Sequence, residues 1–318
     1  MEAKASLGER SSRIVVVAFV ALAIFAGPVR TFAYSTFSFA WVWPAPGGGV
    51  ATALFAGAGL LLIGLARRER MLSGKQWLAL VVLLLPQLLA LVLDPSLGRS
   101  VTWLRDTPWG VAFLLSVAAP LWLGLLSALE LVPMEVPRLV VGAGIAGVGA
   151  ACLTIPIDAY RVAPNQTAAL VIHLVANILI VWTWVYARPL LAGAGTLAAA
   201  GSFLLLTALR DAGFGLLSGR GRWTPVGWHG ILVALLVEGA VSACVWSLWF
   251  WLLERMTLAA FSMGSLAIWT ASIFPGFILF GFMSWRFDAA LVIAVGAIVV
   301  ALRARAVEEQ PAALGLGV

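Results

Sequence analysis

The chain has 318 residues, of which 62% are hydrophobic and only 11% charged, and its mean hydropathy is +1.04. A soluble domain needs roughly twice that charged share to cover its surface, so the composition excludes an ordinary soluble protein and points to a polytopic membrane protein. The 20 Lys and Arg outnumber the 14 Asp and Glu, but these cations are scattered between apolar runs, which argues against nucleic acid and for a role in membrane orientation.

At the N-terminus, Lys4, Arg10 and Arg13 precede IVVVAFVALAIFAG, the layout of a secretory signal, and the TFA triplet ending at Ala33 would suit cleavage. Apolar character nevertheless continues through Trp43, longer than a signal core needs, which favours an uncleaved first helix. The apolar runs predict ten spans, near 14–40, 47–66, 76–93, 108–130, 138–157, 167–187, 190–209, 228–253, 257–282 and 288–302. They are continuously apolar and do not alternate, so helices are predicted and not a barrel. The tails are 1–13 and 304–318, and LRDAGFGLLSGRGRWTP at 209–225 is the longest polar stretch.

Ten crossings put both termini on one side. The loop RRERMLSGK is the strongest cationic element, and the resulting bias places both ends in the cytoplasm, with a bacterial inner membrane as the expected location. Several tryptophans, among them Trp41, Trp103, Trp223 and Trp285, fall near span ends, where an amphipathic ring suits the headgroup layer. Trp122, Trp246, Trp249 and Trp269 lie deeper, as cavity lining or as helix packing.

The two halves echo one another. Residues 114–130 and 138–151 pair a proline-bearing helix with a Gly-rich one, and 265–282 and 289–301 do the same. The predicted fold is an all-α integral membrane protein of ten transmembrane helices in two inverted five-helix repeats, 14–160 and 161–303. An odd number of spans per half makes the second half enter from the opposite face, with substrate expected near the midplane between halves. Pro120 and Pro275 occupy matching places and are the hinge candidates, since each frees a carbonyl and offers a bend.

Ionisable and amide groups inside spans are costly and serve as functional candidates. Glu238 lies mid-span, where a carboxylate would bind a cationic or zwitterionic substrate or take up a proton. Gln87 and Asn177 come out at similar depth, and His173 lies one turn from Asn177 on the same face. Arg30 and Tyr34 follow Gly27 and Pro28 in the first span, facing the cavity if the helix kinks there and snorkelling outward otherwise. Trp246 and Trp269 complete the candidate lining.

Other chemistries lack their parts. Cys152 and Cys244 both fall inside spans, so neither a disulfide framework nor a zinc site is expected. GAGIAG at Gly142–Gly147 fits a dinucleotide spacing, but no strand precedes it, and close helix packing explains it better. No GxxxxGK[ST], HExxH or GxSxG occurs. Asp94, Asp106, Asp158 and Asp211 fall on the predicted outer side without catalytic spacing, which weakens the alternative of a lipid-processing membrane enzyme.

The pieces WSLWFWLLERMTLAAFSMGSLAIWTASIFP, GFILFGF and VIAVGAIVVAL resemble the eighth, ninth and tenth helices of the drug/metabolite transporter superfamily, in its EamA-like branch. VAFLLSVAAPLWLGLL and VVGAGIAGVG are similar to its fourth and fifth. The resemblance implies a cavity lined by helices 1, 3, 4, 6, 8 and 9 and alternating-access transport of a small metabolite, amino acid-like compound or drug. Where that family carries glutamates after its fourth and ninth helices, this chain has Glu130 and Glu135 at the first place and Asp288 near the second. The arginine that opens the second helix in that family is absent from PAPGGGVATALF. The expected partners are a small-molecule substrate, membrane lipid and, for coupling, a proton or solute gradient, in a monomer or homodimer. No enzyme activity, cofactor, metal or nucleic acid is expected; an uncoupled facilitator is the runner-up within transport, and a scaffold or sensor is a third reading.

Overall fold

A computed structural model describes residues 49–93, 118–133, 136, 138–154, 167–217 and 228–264, together with positions 14, 17, 18, 21, 22 and 115. All regular structure among the described residues is helical: α1 (Gly49–Leu65), a 3-10 turn (Ala66–Arg68), α2 (Gly74–Leu93), α3 (Ala119–Ala128), α4 (Arg138–Thr154), α5 (Thr167–Leu191), α6 (Thr196–Leu217) and α7 (Trp228–Arg255). Among the described residues, two stretches, Leu170–Leu191 and Thr196–Leu216, are long and apolar enough to cross a membrane. Only 33% and 50% of their most apolar windows are buried, so much of each helix faces outward. Large apolar side chains stand exposed along other helices too, including Leu60 (63%) on α1 and Leu78 (57%) on α2.

Helix α1 crosses α6, α2 runs along α5, α7 packs on α1 and α6, and α3 joins α5 to α4. The α1–α6 crossing turns on two glycines. A Cβ on Gly59 would lie 2.8 Å from the Gly201 carbonyl oxygen, and a Cβ on Gly201 would lie 2.9 Å from that of Gly59. Leu205 covers Gly59 and Ile63 covers Gly201 in the same reciprocal way. Small residues that let backbones approach this closely decide where the two helices meet. Gly144, within the GAGIAG stretch, does the same for α4: its Cβ would lie 2.9 Å from Pro120 of α3.

The helix ends follow local chemistry. Helix α3 opens at Ala119 with Pro120 in its first turn, where the missing N–H costs nothing. Pro120 therefore starts a helix here, whereas the sequence placed it inside one long span. The same helix closes with Glu130 at φ 56°, Leu131 N–H donating to Leu126 O (2.9 Å) and Glu130 N–H to Ser127 O (3.0 Å). Helix α5 runs past Pro189 and ends before Gly193, whose φ of 73° suits the left-handed turn after a helix. Thr257 caps the helical run at 258–264, its Oγ1 accepting from Ala260 N–H at 3.2 Å.

Span seven differs from its predicted 190–209. Helix α6 begins at Thr196 and continues through Arg210 and Asp211 to Leu217, so the first part of the supposed polar loop is helix. Its N-terminus is capped from far along the chain: Glu69 Oε2 accepts from Ala198 N–H at 2.9 Å, and Glu69 Oε1 from Leu197 N–H at 3.4 Å. A carboxylate there satisfies orphan donors and complements the helix dipole.

Candidate functional site

Between α2, α3, α5, α6 and α7 lies a cavity of about 230 Å³. Five of its eleven described lining residues are aromatic. Helix α5 contributes a stripe at helical spacing, Asn177, Ile180, Val181 and Trp184, and α7 contributes Trp246 and Trp249. Phe203 enters from α6 and Trp122 from α3. The rings brace one another: Phe203 and Trp246 have centroids 4.6 Å apart, Trp246 and Trp249 5.5 Å, and Trp184 and Trp249 meet edge to face at 6.2 Å. Phe261 closes the back of this group, 5.1 Å from Trp184 and 5.3 Å from Trp249. Trp122 spends its indole N–H on Leu115 O at 2.8 Å, so it offers the cavity a ring face and no donor.

Apart from indole N–H groups, the polar side chains in the described lining are two amides. Gln87 on α2 accepts a hydrogen bond through Oε1 from Arg210 Nη1. Arg210 in turn grips Asp211, with Nη2 and Nε at 2.7 and 2.8 Å from the same Oδ1. This ion pair is buried, Arg210 at 11% exposure and Asp211 at 1%. Asn177 donates through Nδ2 to the His173 carbonyl at 2.8 Å. The described lining residues carry no formal charge.

Of the candidates read from sequence, Gln87, Asn177 and Trp246 come together in this cavity. His173 lies one turn before Asn177, part-buried and outside the described lining, and its carbonyl accepts from the Asn177 amide. Glu238 belongs to α7, eight residues or about 12 Å of helix before Trp246, and its side chain lies outside the described residues. Arg30, Tyr34, Trp269 and Pro275 also lie outside them, as do Asp94, Asp106 and Asp158.

Asp211 is a correction. Expected near water on the outer side, it is among the most buried polar residues of the described set. Adjacent opposite charges read as loop markers, but here they satisfy each other, so the helix carries both inside. Trp184 and Phe203 escaped the sequence reading. The spacing from Asn177 to Trp184 held a signal for the first; Phe203 sits in a featureless apolar run and gave none.

No family model matches the chain, and no curated protein does. A solved structure described only as a crystal structure of a protein shares the fold, with a TM-score of 0.65 and 18% identity, over 92% of this chain and 96% of that one. At that identity the likeness speaks for the fold alone.

Proposed function

We propose that the chain is a secondary transporter of ten transmembrane helices in two inverted five-helix halves, moving a small organic molecule by alternating access. The observation that carries this reading is the position of the cavity. Helices α2 and α3 belong to the first half, α5, α6 and α7 to the second, and the pocket lies between them. Transporters built from inverted repeats hold substrate in that place.

The α1–α6 crossing supports the repeat. A two-fold relation requires that contacts be mutual, and Gly59 and Ile63 meet Gly201 and Leu205 mutually. Arg68 and Glu69 follow Gly59 at the same spacing at which Arg210 and Asp211 follow Gly201. The contacts of α7 with α1 and of α2 with α6 are likewise exchanged by swapping the halves. Exposed leucines on α1 and α2, and hydroxyls bonded back to their own helices, as Thr207 Oγ1 is to Phe203 O at 2.9 Å, suit a lipid surround. The EamA-like resemblance of residues 228–302 supplies the family hypothesis, and the bias of cations toward the proposed inner loops favours both termini in the cytoplasm of a bacterial inner membrane.

Glu238 is the group proposed to couple transport to protons. Reconstituted protein should carry solute under an imposed pH gradient, and Glu238→Gln should abolish gradient-driven accumulation while the protein still elutes as a folded species. Accumulation unchanged by Glu238→Gln removes that carboxylate from the mechanism and leaves a facilitator. Turnover of lipid by purified protein without any flux favours the enzyme reading instead.

A further inference from the structure

The hydrogen-bond partners of the two cavity amides fix which end of each is available. Arginine has only donors, so Gln87 must present Oε1 to Arg210, which leaves its Nε2 N–H groups for other acceptors. A main-chain carbonyl only accepts, so Asn177 must present Nδ2 to His173 O, which leaves its Oδ1 for other donors. The site thus combines one amide donor end with one amide acceptor end. Tryptophan and phenylalanine faces surround them.

Charge and size narrow the ligand further. Aromatic faces attract cations, but among the described residues the charge bonded to the lining is Arg210, on Gln87, and it is already neutralised by Asp211. No described lining residue carries a charge to pair with an ion, so a cation or an anion would give up its hydration there without a counter-ion. A solute without net charge escapes that penalty. An apolar cavity of about 150 Å³ takes a benzene, so about 230 Å³ takes a molecule of one or two rings.

Resting on the reading that this cavity is the substrate site, we infer that its ligands are neutral, planar compounds of one or two rings bearing a neighbouring acceptor and donor, as in an aromatic or heterocyclic amide. The rings stack between Trp184, Trp246 and Trp249. The ligand carbonyl accepts from Gln87 Nε2, and its N–H donates to Asn177 Oδ1.

Four single-ring probes test this: benzamide, toluene, benzoate and benzyltrimethylammonium, added to the protein in lipid nanodiscs with tryptophan fluorescence as the readout. Benzamide should quench saturably and bind about tenfold more tightly than toluene, a factor two hydrogen bonds supply, and more tightly still than either ion. Asn177→Leu should bring benzamide close to toluene. Equal or tighter binding of benzyltrimethylammonium overturns the inference, as does a benzamide preference that survives in both Asn177→Leu and Gln87→Met. Saturable benzamide binding with no benzamide flux in proteoliposomes counts against transport and leaves the site chemistry standing. Flux of another solute with no benzamide binding does the reverse.

Discussion

Arg210 and Asp211 show how far one residue pair escapes a linear reading. In the sequence they open a polar stretch; in the fold they are buried, bonded to each other, and the arginine orients Gln87. Gln87, Asn177 and Trp246 were legible because amides and a tryptophan stand out in an apolar span. The ion pair was not, because opposite charges side by side look the same in a loop as in a neutralised core. Removing one partner should be costly: Asp211→Asn leaves a buried guanidinium without its counter-ion, a loss of about 3–5 kcal/mol. Thermal unfolding in detergent should show it as a large fall in midpoint. The double change Arg210→Met with Asp211→Leu should recover most of that stability yet weaken benzamide binding, since Gln87 is then free to turn. A double variant as unstable as Asp211→Asn alone would mean that the pair holds the fold through something other than charge.

At the level of helices, the expected boundaries agree with the described ones wherever glycine, proline or a charged turn marks them. Helix α7 ends at Arg255, close to the expected 253, and α4 begins at the expected Arg138. The exceptions are α3, which starts at Ala119 instead of 108, α5, which runs through Pro189 to Leu191 instead of 187, and α6, which starts at Thr196 instead of 190 and ends at Leu217 instead of 209. How helices pair was not legible, because pairing depends on close approaches such as Gly59 to Gly201 that a composition of small and large residues does not locate. Gly59→Ala and Gly201→Ala should each force α1 and α6 apart, at about 1–3 kcal/mol of overpacking. Once one methyl has opened the crossing the other has room, so the double variant should cost clearly less than the two added together. Strict additivity, measured by denaturant titration, would show that the two glycines do not share one contact.

For the molecule as a whole, composition alone indicated lipid as the solvent, and the outward faces of α5 and α6 agree with it. Two halves around a void were expected from a faint echo between 114–151 and 265–301, whose second copy lies outside the described residues. The clearer echo is the α1–α6 pair, overlooked because its matching positions are mostly leucine and alanine and carry little information in an apolar chain. Reporters that work only in the cytoplasm, fused to either end in turn, should both be active. Activity at one end alone would leave an odd number of crossings and break the inverted arrangement.

The bond from Glu69 to the start of α6 carries a consequence for biosynthesis. Residue 69 leaves the ribosome 128 and 129 residues ahead of Leu197 and Ala198, roughly ten seconds at ordinary elongation rates. A ready-made anchor is therefore in place when the later segment emerges. A circularly permuted gene that makes α6 first would reverse this order, and its product should assemble more slowly while reaching the same end state.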